Sequence, residues 1–167
     1  MKRLILTLII ILSASTAMFA SKAPSANVDD IFSEFSSAKD ADFVNVNPFM
    51  MWLGKQFIDD DPDAQIVKKI KSVRVLDLEK CNSSTKSKFK QQVNRISTKG
   101  YEEMVRMNDN GEKVLIFAKI KEETIHQMII VCVSDGDCAL VEVNGKFTMD
   151  DIAGVVKSQT PKKHGRR

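Results

Sequence analysis

The residues able to do chemistry in this chain are few and widely spaced. There are three cysteines, Cys81, Cys132 and Cys138, and two histidines, His126 and His164. A structural zinc needs closely grouped thiol and imidazole ligands, and neither Cys-x-x-Cys nor His-Glu-x-x-His occurs. A Cys–His nucleophile pair would have to join His126 to Cys132 or Cys138, with no sequence nearby that marks an oxyanion hole. Asp59, Asp61 and Asp63 imitate the first ligands of a calcium loop. Ala64 stands where that loop needs glycine and Ile70 where it needs a bidentate glutamate, so the run reads as a solvated acidic turn. Neither a glycine-rich phosphate loop nor a Gly-x-Ser-x-Gly elbow is present. The sequence therefore points to no catalytic residue, no cofactor and no metal site. The one enzymatic or ligand-carrying alternative is an acid-based site drawn from Asp77, Glu79, Tyr101, Glu102 and Glu103, which no motif announces.

The start of the chain sets an address. Lys2 and Arg3 precede an apolar run, Leu4 to Leu12, broken only by Thr7, and small residues follow at Ser13–Ala17 and Ala20–Ser21. That is the layout of a secretory signal peptide, residues 1–20, with cleavage between positions 17 and 23. The run is about half the roughly 20 residues needed to span a bilayer. The expectation is an exported protein, periplasmic or secreted, with no integral membrane segment once the signal is gone. Residues 21–160 are a comfortable size for one domain, and 161–167 read as a disordered basic tail. The formal charge of +3 belongs to the ends, to Lys2, Arg3, Lys162, Lys163, Arg166 and Arg167. The body between them is net negative, which implies no nucleic-acid groove.

In an oxidising compartment three cysteines leave at least one unpaired or paired between chains. Cys132 and Cys138 flank Ser134-Asp135-Gly136-Asp137. A five-residue hairpin loop would set them opposite each other for a disulfide, whereas a two-residue Asp-Gly loop pairs Cys132 with Ala139. The plainer reading makes both of them small strand hydrophobes.

The elements follow from periodicity. Val28, Ile31, Phe32 and Phe35 form a helical stripe over Asn27–Ser37, and Phe43–Asn47 alternates like a strand. Asn47-Pro48 opens a helix running towards Asp59, a short turn of helix follows over Asp63–Lys69, and Val73–Leu78 is a strand. Asn82–Thr98 is a polar helix with Phe89, Val93 and Ile96 on its deep side. Four period-two segments come next: Tyr101–Met107, Lys113–Lys121, Thr124–Ser134 and Cys138–Val143. Their joins, and the Asn144-Gly145 that ends them, carry tight-turn residues. Thr148–Asp151 resembles an Asp variant of the capping box and starts a last helix on Ile152, Val155 and Val156. The fold class is α+β: an antiparallel sheet of about five to six strands with helices packed mainly on one face.

This succession is similar to a known family. The strand before Asn47-Pro48, Val73–Leu78, Gly100-Tyr101-Glu102-Glu103-Met104-Val105, Gly111-Glu112-Lys113-Val114 and Val143-Asn144-Gly145-Lys146-Phe147 carry the likeness. The chain resembles DUF4252, small exported proteins of Bacteroidetes-type bacteria whose function is unknown. The resemblance implies an address and a fold but no activity and no functional residues.

Surfaces remain. The lysines of Lys86–Lys99 read as the solvated side of an amphipathic helix. In the helix after Pro48, Met50, Leu53 and Phe57 are expected to point to the core. A wide apolar face would bury Met51 and Trp52 as well; exposed, that pair would mark a binding surface. The strands Lys113–Lys121 and Thr124–Ser134 are apolar on both faces at their centres. A one-sided helical layer would leave one face open, to be covered by an unknown protein partner or by self-association, with Phe117 and Ile130 on it. The expected function is a non-enzymatic binding or regulatory module of the cell envelope.

Overall fold

The computed structural model describes residues 26–57 and 65–153. The expected leader and tail, the acidic run Asp59–Asp63, Val155, Val156 and His164 lie outside them.

Helix α1 is Val28–Phe35, α2 Pro48–Lys55 and α4 Ser83–Val93. Each begins on an asparagine whose side chain accepts a hydrogen bond from the backbone N–H three residues on: Asn27 from Asp30 (2.8 Å), Asn47 from Met50 (3.0 Å) and Asn82 from Thr85 (3.0 Å). Such a cap satisfies a donor the helix itself leaves free, worth about 1 kcal/mol. Helix α4 stops short of the expected Thr98 because the chain after it lies extended beside the start of α1. Ala26 N–H donates to Arg95 O, and Ser97 N–H to Ala26 O. A short helix α3, Gln65–Lys69, leads into β2, Ile70–Asp77.

The other strands are β1, Asp42–Val46; β3, Glu102–Asp109; β4, Glu112–Lys121; β5, Thr124–Val133; and β6, Cys138–Phe147. They form one sheet of order β1-β2-β6-β5-β4-β3, antiparallel at every pairing. The expected meander is there, β3 to β6. Asn110-Gly111 makes its first turn with φ of 48° and 86°, the left-handed pair a two-residue hairpin requires. Glu122-Glu123 makes the second at φ 50° and 61°, which is costly for residues with a Cβ. The Asn144-Gly145 pair is a correction: β6 runs straight through it to Phe147. Gly145 stands there because β2 begins against it. A Cβ at this position would lie 2.6 Å from Lys69 O.

The register sorts the strands into two faces. One rung runs Phe43, Leu76, Leu140, Val131, Leu115 and Arg106; the next runs Val44, Val75, Val141, Ile130, Ile116 and Val105. Helices α1 and α4 cover the first face. Ile31, Phe32, Phe35, Phe89 and Val93 pack there on Leu76, Leu115, Val131 and Leu140, and the rings of Phe35 and Phe89 meet edge-on at 5.6 Å. On the second face the rung is half-buried at its centre and exposed at its ends, Val44 by 53% and Val105 by 42%. One corner of that face is closed. Ala118, Ile125 and Phe147 are buried there, with Ile152 from the helical turn at 149–153 packed on them.

Candidate functional site

The expected acids do not assemble. Asp77 lies opposite Asp42 and Ala139 and accepts a hydrogen bond from Glu79 N–H at 2.8 Å. Tyr101 precedes β3 at the far edge, and its hydroxyl bonds to Gln127 of β5 rather than to Asp77. Glu103 pairs with Arg106 on the surface, a hydrogen bond that holds its carboxyl below the usual range. His126 and Cys132 share β5 six residues apart, about 20 Å along the strand, so no Cys–His pair forms. Among the described residues no three or more His, Cys, Asp and Glu side chains gather to hold a metal ion.

For the cysteines the register sets the disulfide alternative aside and leaves the plainer reading. Val133 lies opposite Cys138 and Cys132 opposite Ala139, so the loop between them is four residues and the two thiols point to opposite faces. All three cysteines are free. Cys81 and Cys138 are core residues on the helix side, while Cys132 is half-buried on the open face. Burial pushes each thiol above its usual pKa, which disfavours the reactive thiolate.

A polar constellation that sequence reading missed sits beneath α1. Glu142, 3% exposed, is the charged side chain of the core among the described residues. Its Oε2 accepts from Arg74 Nε at 2.9 Å and again from Nη2. Its Oε1 accepts from Gln127 Nε2 (2.9 Å) and Asn144 Nδ2 (2.6 Å). Tyr101 donates its hydroxyl to Gln127 Oε1 at 2.6 Å, and burial pushes that phenol up. Arg74 also reaches Asp29 of α1 and lies 4.3 Å from the centre of the Phe32 ring. Burial alone would lower the guanidinium's pKa, but the hydrogen bonds to Asp29 and Glu142 outweigh it and hold it up. A carboxylate offers about four acceptor sites, and all four here are taken. The network ties β2, β6 and β5 to one another and locks α1 on the sheet. The signal for it was a lone charge in the apolar run Ala139–Val143.

Helix α2 is turned the other way from expectation. Met51 and Lys55, one turn apart, form its half-buried side. Lys55 Nζ donates to Lys68 O at 2.8 Å and to Ile70 O, pinning the helix where α3 meets β2. With residues 51 and 55 facing inward, Met50, Leu53 and Phe57 rotate out, contrary to the core stripe read from sequence. Phe57 is 82% exposed and Trp52 58%, and Phe49 stacks on Trp52 with ring centres 6.0 Å apart. Phe117 is the remaining correction. It lies opposite Ile129 in the helix-covered core, not on the face that carries Ile130.

Two clefts open at corners of the sheet. One of about 390 Å³ is lined by Ile120, Glu123, Ile125, Thr148, Met149 and Asp150. One of about 160 Å³ lies between Glu112–Val114, Cys132–Ser134 and Asp137. Neither gathers the convergent buried polar groups of a ligand site. No helix among the described residues is long and apolar enough to cross a membrane.

A family model described as a domain of unknown function, DUF4252, matches residues 35–155. No curated protein and no solved structure matches the chain.

Proposed function

The chain belongs to the DUF4252 family, and from that premise we propose an exported, non-enzymatic binding module that docks a protein partner through α2. One observation carries the reading. Phe49, Met50, Trp52, Leu53 and Phe57, five large apolar side chains in nine residues, are all exposed. Scattered exposed apolar residues are ordinary, but a contiguous aromatic and methionine patch marks an interaction surface. Lys55 fixes the helix that presents it, so the patch is held ready rather than formed on contact. Export is supported by Lys2-Arg3, the short apolar run Leu4–Leu12 and the small residues after it. The absence of a catalytic reading rests on Glu142, whose acceptor sites are filled by its neighbours.

Two measurements test this. Periplasmic material should begin between Met18 and Pro24 on N-terminal sequencing; an intact Met1 in the membrane fraction would remove export. A photoreactive phenylalanine analogue at position 52 should yield a discrete cross-linked partner in the envelope. The product should vanish with Phe49→Ser and Leu53→Ser and be missing when the analogue replaces exposed Gln91. Cross-linking at position 52 that is indifferent to those changes would refute the docking role of α2.

A further inference from the structure

We propose that the open face of the sheet is a homodimer interface, two copies packing face to face across the rung Val44–Val75–Val141–Ile130–Ile116–Val105. This goes beyond the α2 reading and does not depend on it.

Charge comes first. The six-residue rung carries no ionisable side chain. Beside it lie Val46, Val73, Val143, Met128 and Ala118 on one side, and Ala139, Cys132, Val114 and Met107 on the other. The acids of these rungs stand at their ends: Asp42 and Asp77 at one corner, where Lys80 partners Asp42 at 2.9 Å, and exposed Glu102 opposite Ala118 at the other edge. A two-fold interface presents the same patch twice, so the patch must be its own complement. A charged patch repels its copy, whereas a uniformly apolar one does not.

Shape comes second. Five strand spacings make the face about 24 Å wide. Among the described residues, both clefts named above sit at its corners rather than at its centre. A flat, β-branched sheet face fits another such face at about 10 Å.

The segments outside the described residues carry few large apolar side chains. Ile152 already occupies one corner. After residue 153 the sequence offers Val155 and Val156 as its only large aliphatic residues, and residues 58–64 offer Ile58. With Ala118 buried in the closed corner, the three rungs offer six, four and four apolar side chains. With a rim, that approaches the roughly 20 residues a side of a standard interface.

Sedimentation equilibrium from low micromolar to several hundred micromolar tests the proposal on the leader-free chain. A reversible dimer is expected. Ile130→Lys at the centre should weaken it at least 100-fold. Val105→Lys, at an exposed end of the rung where a charge cannot disturb the monomer core, should weaken it about tenfold. Gln91→Lys on α4 should leave it unchanged. A monomer at every concentration would overturn the proposal, and would do so while leaving partner cross-linking at position 52 intact. So would a dimer indifferent to Val105→Lys, or a chain that dimerises only once residues 154–167 are deleted.

Discussion

The two faces of this sheet share every strand and differ in nearly everything else. The covered face mixes Phe43, Leu76, Leu140 and Phe117 with the Arg74–Glu142 pair, and helices α1 and α4 fit between them. Side chains of uneven length make ridges that a helix can pack against, and the buried ion pair fixes where α1 sits. The open face carries Val, Ile, Met, Ala and Cys at its centre, with Asp42, Asp77 and Glu102 at its edges. The difference teaches that a face committed to an internal core is specified in shape and polarity, while the face the helices leave open is specified by apolar composition alone.

The comparison breaks most visibly at Arg74. Arg74→Leu should cost about 3–5 kcal/mol, since it strands Glu142 in the core with an uncompensated charge. Adding Glu142→Leu should restore most of that loss; denaturant unfolding of both variants reads it. If the double variant were no better than the single one, the network would not be what holds α1.

Neighbours on β6 give the sharpest contrast. Leu140→Ala removes a fully buried side chain from the covered face and should cost about 2–5 kcal/mol. Val141→Ala, on the open face, should cost under about 1.5 kcal/mol in the monomer. Equal losses would mean that both faces are core.

How far these faces were legible in sequence depends on phase. The Asn47-Pro48 start, the stripe Val28–Ile31–Phe32–Phe35 and the period-two runs after Tyr101 place the elements, because each signal is local. Sequence alone does not separate Phe117 from Ile130, because β4 and β5 are apolar on both sides; only the register, Phe117 opposite Ile129, does so. Helix α2 failed similarly. In Pro-Phe-Met-Met-Trp-Leu the periodicity has no polar side to set the phase, and a long-range contact from Lys55 to Lys68 O set it instead. Gly145 looked like a turn because the approach of Lys69 O, which demands a glycine, comes from 76 positions earlier in the chain.

Smaller effects lie near the closed corner of the open face. Replacing Glu122-Glu123 by Asn-Gly should gain about 1–2 kcal/mol, since both residues hold positive φ that Asn-Gly adopts readily. Thermal unfolding checks it; a loss would show that the glutamates make contacts worth more than the strain.

The smallest effect is electrostatic. The hydrogen bond from Lys69 (2.7 Å), helped by Thr148 N–H (2.8 Å), holds the Asp151 carboxyl below the ordinary aspartate value. A depressed folded pKa gives stability that is full above the unfolded value, about 3.9, and is lost as pH falls through the folded one. The increment should be under about 1 kcal/mol, as the pair is partly exposed. Asp151→Asn should lack it at neutral pH and flatten the acid limb of the stability curve. An unchanged limb would dismiss the pair.

The sheet's two-sidedness is tested most directly by its thiols. Native protein treated with a maleimide at pH 8 can be read by mass spectrometry at Cys81, Cys132 and Cys138 separately. All three thiols are raised in pKa by burial, so access to solvent decides their order. The account predicts that Cys132 reacts first, faster on dilution as the open face is freed, while Cys81 and Cys138 react only at the rate of unfolding. Cys132 and Cys138 reacting together, at one rate and at every concentration, would contradict it.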